Sequence, residues 1–161
     1  MVSDGAERRA GGAPDAAFST PEADMTARRD LEILVVEDRQ VMLKIIRRLL
    51  IELGFVRIDE AVNGLEAVER IAAKRYGLIL SDWNMDGMSG FDLLKHVRAD
   101  EAARAVPFVL VTAEAKPENI LAAKAAGASA YLVKPFKLDA LETTLEAALA
   151  AHGVAHPAAT G

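Results

Sequence analysis

Five short apolar runs alternate along the chain with segments in which apolar residues return every three or four positions. The runs are Glu32–Val36, Arg57–Ala61, Leu78–Ser81, Phe108–Val111 and Ala130–Val133, each of strand length. Met42, Ile45, Ile46, Leu49 and Leu53 mark the core face of a first helix that Gly54 stops. Leu65, Val68, Ile71 and Ala72 mark a second helix, entered through Asn63-Gly64. Phe91, Leu94 and Val97 mark a third, with Ser89 and Asp92 spaced as a capping pair. Ile120, Leu121 and Lys124 begin a fourth, opened by Pro117 and closed by Gly127. Leu138, Leu141, Leu145 and Leu149 make the fifth.

Strand–helix pairs repeated in this way predict an α/β domain. The runs are too apolar to alternate, so both faces of the sheet must be covered, which is the signature of a parallel, doubly wound sheet. Ligands in such sheets sit beyond the carboxyl ends of the strands, where the strand order reverses. The residues that close each strand therefore matter most.

Composition narrows the class. Residues 1–29 are rich in Ala, Gly, Ser, Asp and Pro and are expected to form a disordered extension. Residues 30–150 are expected to carry the folded domain, and residues 151–161 a flexible tail. The net charge of −5 gives no electrostatic footprint for nucleic acid or an anionic membrane. No run approaches membrane-spanning length and the amino terminus has no secretory apolar region, so a cytoplasmic protein is expected. The absence of cysteine excludes disulfides and thiolate chemistry, and His96, His152 and His156 are too scattered to form an imidazole metal cluster.

The strand ends carry the chemistry. The first closes in Glu37-Asp38, the third in Asp82, the fourth in Thr112 and the fifth in Lys134-Pro135. Singly, each has an ordinary reading: a helix cap, a satisfied hydroxyl, a solvated lysine. Together they form a site. Three carboxylates in one place repel one another unless a cation is present, and Mg²⁺ favours carboxylate oxygens, a backbone carbonyl and retained waters. An aspartate beside that ion can act as a nucleophile toward a phosphoryl donor. Lys134 would meet the phosphoryl oxygens as a point charge, and Thr112 would offer a hydroxyl to them.

Val35-Val36-Glu37-Asp38, Ser81-Asp82-Trp83-Asn84-Met85, Val111-Thr112-Ala113-Glu114-Ala115 and Lys134-Pro135-Phe136 resemble, in order, the receiver domains of two-component response regulators, and within them the single-domain chemotaxis regulators. The resemblance implies the flavodoxin-like (βα)5 fold with strand order 2-1-3-4-5. It implies Asp82 as phosphoacceptor, Asp38 and Asp82 as direct Mg²⁺ ligands, Glu37 acting through water, and the Asn84 carbonyl as a further ligand. Thr112 and Tyr131 would be a switch pair, and Lys134 would anchor the phosphoryl group and precede a cis peptide at Pro135. The sequence departs from the family at Asp86, where proline is usual, and Arg39 follows the acidic pair at a variable position. Both bear on how long the phosphorylated state lasts.

The implied protein is a monomeric switch without an output domain. It would be phosphorylated by a sensor histidine kinase or a histidine phosphotransfer protein, and read by a target such as a flagellar motor switch through the fourth helix, fifth strand and fifth helix. Its only chemistry would be self-phosphorylation and autodephosphorylation. A stand-alone phosphorelay intermediate shares every site residue. Leu43 and Ile51, off the expected core face of the first helix, would suit docking of a four-helix histidine-bearing partner or be plain surface aliphatics. A haloacid-dehalogenase-type phosphatase would need an acid at position 84, where Asn84 stands. A flavin carrier would need a hydroxyl- and Gly-rich loop in place of Glu37-Asp38-Arg39-Gln40.

Overall fold

The computed structural model describes residues 21–151. Residues 1–20, most of the tail expected over 151–161, and both His152 and His156 lie outside them. The elements run α1 (Pro21–Asp30), β1 (Glu32–Val36), α2 (Gln40–Glu52), β2 (Arg57–Ala61), α3 (Gly64–Ala73), β3 (Leu78–Asp82), α4 (Gly90–Ala99), β4 (Phe108–Thr112), α5 (Pro117–Ala126), β5 (Ala130–Val133) and α6 (Leu138–Ala151). All strand pairs are parallel, in the order β2-β1-β3-β4-β5, the flavodoxin-like order expected. Among the described residues, no helix is long and apolar enough to cross a membrane.

Strand composition follows position in the sheet. The central β3 and β4 are buried throughout, as strands covered on both faces must be. β2 is an edge strand and tolerates Arg57, Asp59 and Glu60 among its five residues, polar groups that also discourage pairing with a foreign strand. Strand alternation divides the core in two. Ile33, Val35, Leu80 and Val111 pack with Leu43, Ile46 and Leu50 of α2 and Leu141 and Leu145 of α6. Leu34, Val36, Ile79 and Leu110 pack with Ala67 of α3, Leu93, Leu94 and Val97 of α4, and Ala123 of α5.

Helix ends sit where their sequence signals put them. Asn63 accepts from the Glu66 amide at 2.7 Å to cap α3, and Ser89 with Asp92 forms a capping box on α4. Gly127 closes α5 with φ of 102°, a conformation that costs a residue with a Cβ about 1 kcal/mol or more. Arg98 of α4 ties the far end of that helix to its neighbours, donating to the carbonyls of Gly127, Arg104 and Val106 at 3.0, 2.9 and 2.7 Å. Burial pulls its pKa down to about 10.

Three expectations are corrected. The core face of α2 is Leu43, Ile46, Leu50 and Leu53, while Ile45 is exposed; Leu43 is therefore a core residue and unavailable for docking, whereas Ile51 is exposed as expected. Spacings of three, four and three keep the four buried residues on one stripe. Leu65 and Leu121, expected to face the core, point to solvent, and Ala67 and Ala123 are buried instead: small residues let α3 and α5 approach the sheet closely. Finally, the disordered extension expected over residues 1–29 does not hold from residue 21 onward, because α1 is helical and packs on the domain through Arg28.

Candidate functional site

β1 and β3 are neighbours with the chain leaving them in different directions, so the space beyond their carboxyl ends is the crevice where the strand order reverses. β1 delivers Glu37 and Asp38 there, and β3 delivers Asp82. Glu37, Asp38 and Asp82 each offer a carboxylate oxygen within 4.8 Å of the other two. Glu37 is fully buried and Asp82 nearly so, while Asp38 opens to solvent.

Lys134 follows β5, its amide bonded to the Thr112 carbonyl at 2.7 Å, and the peptide to Pro135 is cis as expected. Its Nζ lies 2.9 Å from Asp82 Oδ1 and 3.3 Å from Glu37 Oε1. Burial raises the Glu37 carboxyl above its ordinary range and the Asp82 charge adds to this, with Lys134 opposing both. Burial likewise raises Asp82; Lys134 opposes it and the Asp38 charge reinforces it. Each charged carboxylate is thus costly where it stands.

The donor set fits a divalent metal. Three carboxylates outnumber the Lys134 ammonium and the Arg39 charge that acts on Asp82, so negative charge remains to be balanced, and the ligands are the hard oxygens that Mg²⁺ prefers. Asn84, whose carbonyl was expected to join them, lies two residues past Asp82 in the exposed β3–α4 loop. Asp86, in that same loop, lines a groove with Asp38, Asn63 and Met88 beside the site, so the departure from proline places another carboxylate on its rim.

Thr112 ends β4 and is buried. Its Oγ1 accepts from the Glu114 amide at 3.2 Å, and its hydroxyl also hydrogen-bonds the Tyr131 phenol, so the hydrogen must turn to reach an acceptor in the crevice. Tyr131 of β5 is half-buried and donates to the Glu114 carbonyl at 2.8 Å, so both members of the expected switch pair meet one residue of the β4–α5 loop. The Tyr131 ring stands edge-on to Trp83, centroids 6.1 Å apart at 82°.

Several features of the site were not anticipated from the sequence. Trp83 stacks on Phe91 at 5.2 Å and 9°, joining the β3–α4 loop to α4. Ser81 Oγ, buried, donates to the Asp82 carbonyl at 3.0 Å. Gly90 donates its amide to the Trp83 carbonyl at 2.8 Å, and a Cβ there would collide with the Asp82 carbonyl oxygen. The Ser89 cap signals where α4 starts, but nothing local reveals the strand passing against it.

A family model described as the response regulator receiver domain matches residues 33–146. The chemotaxis protein CheY-3 of Vibrio cholerae serotype O1 is 42% identical over 118 residues, covering 73% of this chain and 91% of that protein. The high-resolution structure of the chemotaxis response regulator CheY4 of Vibrio cholerae superposes with a TM-score of 0.69 at 33% identity, covering 74% of this chain and 98% of that one. The receiver domain of the sensor histidine kinase PA1611 from Pseudomonas aeruginosa PAO1, solved with a magnesium ion coordinated in its active site cleft, gives a TM-score of 0.66 at 32% identity, covering 76% of this chain and 98% of that one.

Proposed function

The chain belongs to the response regulator receiver domain family of two-component signalling, and from that premise we propose that Asp82 accepts a phosphoryl group from a phosphohistidine and that the protein signals, in chemotaxis, by a change at α5, β5 and α6. The observation that carries this reading is the 2.9 Å approach of Lys134 Nζ to Asp82 Oδ1 on the floor of a buried acidic crevice.

In the reaction an Asp82 carboxylate oxygen attacks phosphorus. A P–O bond forms as the P–N bond breaks, and the electron pair leaves with the donor imidazole. Lys134 is already in place to pair with the phosphoryl oxygens, and the Thr112 hydroxyl can turn from Tyr131 to donate to one of them. Bound by Asp38, Asp82 and the Asn84 carbonyl, with Glu37 behind, Mg²⁺ would neutralise charge that develops on the transferring group. The protein consumes no external substrate catalytically: it is a phosphoacceptor. Upstream it would meet a histidine kinase or a histidine phosphotransfer protein in the cytoplasm.

Trp83 adjoins the acceptor and is the sole tryptophan, so its emission should report metal binding. Mg²⁺ is expected to change it saturably, and Asp38→Ala to weaken the apparent affinity about tenfold or more, or ~1.4 kcal/mol. An unchanged titration in that variant would remove Asp38 from the metal site.

A charge-assisted hydrogen bond from Thr112 to the phosphoryl group contributes about 1.5–3 kcal/mol. That suffices to shift a closely balanced pair of conformers, and Tyr131 shares the Glu114 contact through which the shift would pass. The face to be read carries Ile120, Leu121 and Val133 beside Lys116, which pairs with Glu114 at 3.5 Å: apolar anchors and one cation that suit an amphipathic helix of the flagellar motor-switch kind with an acidic flank. Titrating such a peptide should show tighter binding with beryllofluoride and Mg²⁺, and weaker binding in Ile120→Ala. Equal affinity in all three titrations would reject this face, and no binding in any would favour the phosphorelay intermediate.

A further inference from the structure

Helix α1 lies outside the stretch that the family model matches, and Arg28 makes the most contacts with the domain among its described side chains. Arg28 Nη1 donates to the carbonyl of Leu53, the C-cap residue of α2, at 2.7 Å. Its Nη2 donates to Glu142 Oε2 at 2.9 Å and Glu146 Oε2 at 3.1 Å on α6, and the guanidinium lies 5.3 Å from the Phe55 ring centroid.

Each of these groups gains from the cation. Glu142 and Glu146 are four residues apart, a like-charge spacing that weakens a helix unless a positive charge stands between them. The Leu53 carbonyl lies at the negative end of the α2 dipole, where a cation is favoured. The Arg28 side chain is only 19% exposed, so its ion pairs are screened less than pairs in open solvent. Around it, Met25 Cε lies 2.7 Å from where a Cβ on Gly54 would sit, and Arg57 Nε donates to the Arg29 carbonyl at 3.2 Å.

We propose that α1 is an intramolecular brace that locks α6 to the corner between α2 and β2. Because α6 is one wall of the output face, the brace fixes where a partner meets that wall, and an event that pulled α1 away would loosen α6 without touching Asp82. The consequence for signalling rests on the output face assigned above; the brace itself does not.

Hydrogen exchange measured by mass spectrometry on the full chain, with no phosphoryl donor present, tests the brace. In Arg28→Ala the amides of α6 and of residues 53–56 should exchange about tenfold faster, while those of β1, β3 and α4 keep their rates. Arg28→Lys, which keeps the charge but loses the forked geometry, should fall between. Unchanged α6 exchange in Arg28→Ala, or equal acceleration in every element, would overturn the brace. With beryllofluoride and Mg²⁺ added, Arg28→Ala should weaken binding of the acidic peptide roughly fivefold. Unchanged binding beside a loosened α6 would overturn the signalling consequence and leave the brace standing.

Discussion

Gly90→Ala should destabilise the domain by about 3 kcal/mol, a fall of roughly 10 °C in melting temperature for a domain of this size. Gly90 is the first residue of α4, and the space its Cβ would need is taken. The new carbon would collide with the Asp82 carbonyl oxygen and lie 2.9 Å from the Asp82 carbonyl carbon and 3.0 Å from Ser81 Oγ. Two of those atoms are backbone, and no rotamer change removes them. Either α4 retreats, breaking the 2.8 Å bond from the Gly90 amide to the Trp83 carbonyl, or the end of β3 moves. In both cases the loop that carries Asn84 shifts against Asp82, so phosphorylation should slow as well. Gly87→Ala is the control. Its φ of 78° imposes backbone strain, but no atom lies within 4 Å of the added carbon, so stability should fall by only about 1–2 kcal/mol with the site undisturbed. Thermal melts of the two variants decide the matter, and a Gly90→Ala melt within 2 °C or so of wild type would contradict the packing described.

The strand ends were legible because each is a polar residue closing an apolar run, which local sequence displays directly. Asp82 after Leu78–Ser81 and Lys134 after Ala130–Val133 need only the rule that such sheets bind at their carboxyl ends. Helix faces were harder. α2 is so dense in apolar residues, with Val41, Met42, Leu43, Ile45, Ile46, Leu49, Leu50 and Ile51, that several stripes fit, and only the sheet beneath selects Leu43 over Ile45. α1 escaped for the opposite reason: it has little apolar residue content to reveal, and the half-buried guanidinium of Arg28 ties it to the domain. Its charge order was still a signal, with Pro21 and Glu22 at the start and Arg28-Arg29 in the last turn, as the helix dipole favours. The approach of Gly90 to Asp82 and the Trp83–Phe91 stack join elements through space, and no periodicity carries that information.

Asp82→Asn has the largest expected functional effect, a complete loss of phosphorylation. The amide keeps the shape of the side chain but is not nucleophilic, and it removes the negative charge that faces Lys134 at 2.9 Å. No other carboxylate substitutes for it. Glu37 is fully buried behind the site, and Asp38 is open to solvent, whereas Lys134 stands against Asp82. Stability should not suffer, because the buried Asp82 carboxylate is held above its ordinary pKa by desolvation, and a neutral isostere relieves that cost.

The most direct measurement is to expose the wild-type chain and Asp82→Asn to acetyl phosphate with Mg²⁺, reduce with borohydride to trap the acyl phosphate, and map the modified residue by mass spectrometry. The account predicts a single modified position, Asp82, seen only with the metal present and absent from the variant. Label at wild-type level in Asp82→Asn, or label on the wild type independent of metal, would contradict it.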